Sequence, residues 1–98
     1  MTQIISEGQR WQVQGDMTMP QVNNLLAQSQ ALPMSDRLEV DLSAVSDVDT
    51  ATISVLFEWL RRAQDQKCEL KFIHFPKNLT SLATLYGVLE LIPHAAAA

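Results

Sequence analysis

Polar and apolar residues alternate in several short stretches of the chain, as expected for strands that lie half-buried in a sheet. The clearest case is residues 37–42, where Leu38, Val40 and Leu42 are separated by charged side chains. This strand should have one buried face and one wet face. The pattern predicts four strands in all, over residues 3–6, 10–14, 37–42 and 69–75.

Three other stretches have apolar residues at helical spacing. The first runs from Pro20 to Leu32, and the last covers residues 78–86 with Gly87 as its stop. The strongest follows Asp49, a good N-cap residue, and continues to Gln66. Its predicted core-facing stripe consists of Ile53, Leu56, Phe57, Leu60, Ala63 and Gln64.

The order of elements is therefore strand, strand, helix, strand, helix, strand, helix. Strand–helix–strand units place neighbouring strands in parallel, whereas the first two strands can form an antiparallel hairpin. The predicted fold class is α/β: a small, mixed, mostly parallel four-stranded sheet with an N-terminal hairpin and with helices packed mainly on one face. Residues 89–92 predict either a final turn or a strap across the core.

Size and composition bound the function. The chain has 98 residues, 47% of them hydrophobic, and a net charge of −4. We expect a single domain over residues 1–94, followed by a disordered alanine tail over residues 95–98. The acidic balance argues against nucleic-acid binding. A single cysteine, no basic leader and no long apolar run together predict a cytoplasmic protein.

Candidate catalytic or metal-binding residues are few. His74 and His94 have no second ligand at metal-site spacing, so His74 is interpreted as a structural histidine. Cys68 has no nearby partner that would activate it. The three glycines are isolated and form no phosphate-binding loop. We therefore expect no enzyme activity, no metal and no cofactor.

One loop stands out, because residues 41–53 place hydroxyls and carboxylates between a strand and the strongest helix. Thr50 falls in the first turn of that helix, where backbone N–H groups lack partners and the helix dipole is positive. Capping by Asp49 explains this composition without any function. A recognition site at Thr50 is the alternative.

The residues here resemble a known family. The chain reads VDLSAVSDVDT over residues 40–50, which is similar to the signature of STAS domains, the fold of anti-sigma-factor antagonists. The segment LATLYGV over residues 82–88 is similar to one branch, the STAS subunit of Mla-type phospholipid transporters. The family usually has glycine directly after the Ser or Thr, where this chain has Ala51 and Thr52. That departure puts recognition by an anti-sigma kinase in doubt.

The resemblance implies a non-catalytic binding module whose partner surface is Thr50 and the helix after it. In the Mla branch the partner is the cytoplasmic ABC transporter ATPase subunit (MlaF-like), with the membrane permease beyond it. The domain would stabilise or activate that ATPase in phospholipid transport that maintains lipid asymmetry in Gram-negative cells. It would lie in the cytoplasm, peripheral to the inner membrane through its partner. The alternative is an anti-sigma-factor antagonist regulated by serine/threonine phosphorylation, here at Thr50.

The helical wheel adds a candidate binding face on the side away from the predicted stripe. Its aromatic residue, Trp59, and its arginine, Arg62, lie at helical spacing and resemble the anchor residues of a protein interface. The opposing interpretation is that Trp59 covers the edge of the core and that Val55 is a lone exposed apolar residue. The expected partner-binding residues are Asp49, Thr50, Ala51, Val55, Glu58, Trp59 and Arg62.

Overall fold

The computed structural model describes residues 2–34 and 36–93. Four strands and three helices form in the predicted order. The strands are β1 (Gln3–Glu7), β2 (Arg10–Met17), β3 (Arg37–Val48) and β4 (Glu69–Ile73). The helices are α1 (Val22–Gln30), α2 (Thr50–Asp65) and α3 (Lys77–Leu85), with short 3-10 turns at Met19–Gln21 and Leu89–Leu91. His94 and the alanine tail lie outside the described residues, so the expectation of disorder there stays a prediction.

The strands lie in the sheet in the order β1-β2-β3-β4. β1 and β2 form the predicted antiparallel hairpin, whose last pair is Glu7 and Arg10. Gly8 begins the two-residue turn at a φ of +61°, a conformation that glycine adopts without steric cost. β2 pairs with β3 and β3 with β4, both in parallel. The predicted fold class is confirmed.

The helices share one core and therefore cover one face of the sheet. Alternate residues of the central strands, among them Trp11, Val13 and Val40, are buried at 0–1% exposure. They belong to the same apolar cluster as residues from α1, α2 and α3. The opposite face carries charged pairs such as Arg10–Glu39, in which the nitrogen and oxygen are 3.8 Å apart. That face is polar, as the alternation predicts.

β3 is twice as long as its apolar alternation suggests. The sequence predicts a loop after residue 42, but the strand continues to Val48. The extension pairs only with β2, where Ala44, Val45 and Val48 face Gln14, Gly15 and Met17 across register shifts. These shifts break the period-two pattern, so the polar stretch does not look like a strand in the sequence.

The C-terminal segment closes the core. α3 ends before Gly87, whose φ of +70° fits the predicted stop. After the second 3-10 turn, Ile92 is only 2% exposed, and the carbonyl of Pro93 accepts a hydrogen bond from the N–H of Phe72 in β4 at 2.9 Å. The segment is thus both a turn and a strap. Within residues 2–34 and 36–93, no helix has the length and apolar character to cross a membrane.

Candidate functional site

Asp49 fixes the start of α2 and ties it to the segment that follows β2. Its Oδ1 accepts a hydrogen bond from the N–H of Ala51 at 2.8 Å, as expected for an N-cap. Its Oδ2 accepts another from the N–H of Met19 at 3.0 Å. One carboxylate therefore holds two segments that are thirty residues apart in sequence.

Thr52 completes this junction from inside the protein. Its hydroxyl accepts a hydrogen bond from the N–H of Asp49 at 3.0 Å and donates one to the carbonyl of Met17. The side chain is fully buried. The side chain at the position where the family often has glycine thus serves the fold and does not reach the surface. Thr52 therefore gives no steric argument against a kinase, and only half-buried Ala51 still bears on that question.

Thr50 is exposed at the first position of α2. Its Oγ1 lies 3.2 Å from the hydroxyl of Tyr86, just past the end of α3. Tyr86 is 53% exposed, and Met19, whose backbone is bonded to Asp49, is 68% exposed. The Thr50–Tyr86 hydroxyl pair, the exposed ring of Tyr86 and the exposed side chain of Met19 therefore surround the beginning of α2. We call Met19, Asp49, Thr50, Ala51 and Tyr86 the Thr50 surface.

The expectation that Val55 and Trp59 lie on an exposed face is wrong. Each is only 1% exposed. The Trp59 ring meets Trp11 edge to face, with centroids 5.7 Å apart at 82°, and its Nε1 donates to Ser29 Oγ at 2.9 Å. The buried face of α2 is rotated toward these residues, so Phe57 and Leu60 are only half-buried and Gln64 is exposed. Neither Val55 nor Trp59 can contact a partner while the domain stays folded.

Two other members of the expected binding face have partners within the domain. Arg62 is half-buried and donates to the carbonyls of Ser29 and Leu32 at 2.5 and 2.6 Å. It caps the carboxyl end of α1, where unpaired carbonyls favour a cation. Glu58 is exposed and forms an ion pair with Arg61, whose hydrogen bond lowers the pKa of the glutamate. Of these two, only Glu58 remains at the surface.

His74 and Asp41 form a pair at the end of β4. His74 Nδ1 lies 3.0 Å from Asp41 Oδ1, which also accepts a hydrogen bond from the N–H of Ser43 at 2.9 Å. Burial alone would raise the pKa of Asp41, but hydrogen bonds from Ser43 and His74 outweigh it and lower that pKa. The pair holds the end of a strand, which supports the structural interpretation of His74.

Signs of metal or thiol chemistry are weak. Across the described part of the chain, no three metal-ligating side chains come together. Burial raises the pKa of the half-buried Cys68 thiol, and the carboxylate of Asp36 adds to this shift. The thiol is therefore a poorer nucleophile than an ordinary cysteine at neutral pH.

Sequence reasoning missed Tyr86 and Met19 as surface residues. The helical pattern places Tyr86 on the core side of the last helix with Leu79, Leu82 and Ala83. The structure buries Leu79 and Ala83, half-buries Leu82 and exposes Tyr86, which lies at the helix end. Met19 carries no local signal, because only the bond to Asp49 brings it to α2.

The fold is that of a small domain of the STAS class. A sequence model of the family described as "Mlab, STAS domain" matches residues 2–93. The chain therefore belongs to this STAS family, as the signature of residues 40–50 indicates. STAS domains are a non-enzymatic fold for protein–protein interactions. A comparison with curated proteins finds no match.

Solved structures share the fold at low sequence identity. The unphosphorylated form of the anti-sigma factor antagonist SpoIIAA matches with a TM-score of 0.67 and 11% identity, over 100% of this chain and 90% of that chain. A STAS domain protein from Planctomyces limnophilus gives 0.69 and 13%, over 98% and 89%. RsbS from Moorella thermoacetica, in a serine-to-glutamate variant, gives 0.66 and 18%, over 97% and 88%. At these identities the likeness shows a common fold and nothing finer.

Proposed function

We propose that this domain is a non-catalytic subunit that binds, and thereby stabilises or activates, the cytoplasmic ATPase of an Mla-type phospholipid ABC transporter. The observation that carries the proposal is the Thr50 surface. There the side chains of Tyr86 and Met19 are exposed, and the Tyr86 hydroxyl is paired with that of Thr50. Tyrosine exposed at such a position is typical of interface anchors. Membership in the Mlab STAS family supports this choice of partner.

The proposed contact is smaller than the helical wheel suggests and extends from the N-terminal end of α2 to its middle. It consists of the Thr50 surface and the exposed Glu58, and excludes Val55, Trp59 and Arg62 because their side chains serve the core and α1. The exposed carboxylate of Asp47 lies just before this end of the helix. A partner with basic side chains around an apolar contact would complement the surface. Through that partner the domain would lie in the cytoplasm, peripheral to the inner membrane.

Copurification from native cells tests the proposal. A tagged chain should bring down an ATP-binding cassette subunit. Thr50→Glu should reduce the recovered subunit about tenfold or more, because the larger side chain disrupts the hydroxyl pair with Tyr86 and buries a carboxylate in the apolar part of the contact. Gln64→Glu is the matched control, since it adds the same charge to an exposed position on the same helix about 20 Å away. The control should bind like the wild type. Equal recovery by all three proteins would disprove the assignment of the Thr50 surface.

An anti-sigma-factor antagonist is the second candidate, favoured by the structural neighbours that carry that description. The buried side chain of Thr52 leaves the surface near Thr50 more open to a kinase than the sequence suggests. A phosphate on Thr50 would lie beside Asp49 and displace Tyr86, so it would oppose binding there. Recovery of a small serine/threonine kinase and no ABC subunit, with phosphate on Thr50 by mass spectrometry, would favour this candidate.

A further inference from the structure

The outer edge of β1, on the side away from β2, is a surface feature separate from the Thr50 surface. β1 is an edge strand, bonded on one side to β2 through the pairs that include Gln3, Ile5 and Glu7. In an antiparallel ladder the intervening residues direct their backbone groups to the other side. The edge therefore presents the backbone groups of residues 2, 4 and 6. An exposed row of this kind is a template for pairing with another chain.

Two amide side chains of α1 occupy this row. Gln28 Oε1 accepts a hydrogen bond from the N–H of Ile4 at 2.8 Å, and Gln28 Nε2 donates to the carbonyl of Thr2 at 3.0 Å. Asn24 Nδ2 donates to the same carbonyl at 3.0 Å. Asn24 and Gln28 are four residues apart and so lie on one face of the helix. A primary amide offers both an acceptor and donors, the two kinds of group that a neighbouring strand would present.

The start of β1 is also held in place by a buried side chain. Thr2 is fully buried, and its hydroxyl bonds to the carbonyl and carboxylate of Asp16. Asp16 belongs to β2, so the start of β1 is fixed to the sheet by contacts other than the two amides. Ser6 is exposed, and its outward backbone groups have no partner among the described residues.

We propose that Asn24 and Gln28 act as a substitute strand that closes β1 against pairing with β1 of a second copy of this chain. A second copy fits because β1 is complementary to itself. An antiparallel pair centred on Ile4 places Gln3 opposite Ile5 and leaves the two Glu7 carboxylates at opposite ends of the ladder. At the edge of β4 the N–H of Phe72 is likewise occupied, there by the carbonyl of Pro93. Each outer strand of the sheet thus has part of its edge occupied by groups from elsewhere in the chain.

The test is the oligomeric state of the double variant Asn24→Ala/Gln28→Ala. Light scattering after size exclusion, from about 10 µM to about 1 mM, covers the dissociation constants expected of a short strand contact. We expect a monomeric wild type and a double variant whose dimer fraction rises with concentration. Asn23→Ala/Gln30→Ala is the matched control, because it removes exposed amides of the same types from the same helix. It should stay monomeric.

A third substitution locates the contact. Ser6→Pro removes an outward N–H that β2 does not use, so it should return the double variant to a monomer without breaking the hairpin. A double variant as monomeric as the wild type, or a dimer that survives Ser6→Pro, would overturn the proposal. Dimerisation of the wild type through the same edge would also overturn it.

A milder variant covers the case in which the double variant does not fold, as judged by circular dichroism. Gln28→Glu keeps an acceptor for the N–H of Ile4 but cannot donate to the carbonyl of Thr2. It should give a smaller, concentration-dependent dimer fraction that Ser6→Pro removes. A fully monomeric Gln28→Glu would then count against the proposal.

Discussion

At the scale of single residues, Trp59 shows how a side chain can look like an anchor and serve as core. The indole packs edge-on against Trp11 and donates to the hydroxyl of Ser29, which in turn donates to the carbonyl of Leu26. Tryptophan is common both at interfaces and in cores when its N–H finds a partner. The partner here comes from α1, thirty residues away, so the sequence around Trp59 cannot distinguish the two roles.

Truncating this side chain should therefore act on stability. Trp59→Ala is expected to cost about 3–5 kcal/mol, because it leaves a cavity at the centre of the core. Trp59→Phe should cost less, since the ring contact with Trp11 is largely kept and mainly the bond to Ser29 is lost. Guanidinium denaturation measures the free energy of unfolding of both variants. Glu58→Ala is the control, because it changes the exposed neighbouring position. A Trp59→Ala protein as stable as this control would contradict the burial of the indole.

At the scale of elements, the start of α2 is a junction of three segments. Thr52 bonds to Met17 at the end of β2, and Asp49 bonds to Met19 in the turn that follows it. Thr50 bonds to Tyr86 at the end of α3. The sequence predicts the N-cap correctly, because capping depends on local residues. The bonds to other elements depend on the tertiary fold and leave no local signal. They also explain how one short segment positions the whole Thr50 surface.

Removing the cap should loosen this junction. Asp49→Ala is expected to lower the free energy of unfolding by about 1–2 kcal/mol, the upper part of the range for N-caps, because the N–H of Met19 also loses its acceptor. Asp49→Asn keeps one carbonyl acceptor and should recover part of the loss. Thermal unfolding followed by circular dichroism checks the expected order of stability, in which the wild type is highest, Asp49→Asn intermediate and Asp49→Ala lowest. An alanine variant that melts with the wild type would show that the cap contributes nothing.

At the scale of the whole molecule, the sequence predicts the fold class and the order of elements well. Strand and helix periods are strong in this chain, and short connections leave few topologies. The errors concern relations between elements. The rotation of α2 escaped prediction because Phe57 and Leu60 extend its apolar surface on one side while Val55 and Trp59 extend it on the other. The length of β3 escaped because its second half is polar and irregularly paired.

The C-terminal strap gives a test at this scale. Ile92→Ala should cost about 2–5 kcal/mol, because the side chain is buried against a core built by all three helices. Leu91→Ala is the matched control, since Leu91 is 65% exposed and its loss should change stability by less than about 0.5 kcal/mol. Urea denaturation of the two variants measures the difference. Similar costs for both would show that the strap is not part of the cooperative core.

The sheet has the same strand order as the chain, β1-β2-β3-β4. Each strand therefore finds its only earlier neighbour already made when it leaves the ribosome, at a synthesis rate of about 5–20 residues per second. The hairpin and α1 can assemble before β3 is synthesised, and β4 adds last, to the free edge of β3. Vectorial assembly of this kind never requires a strand to insert between two others.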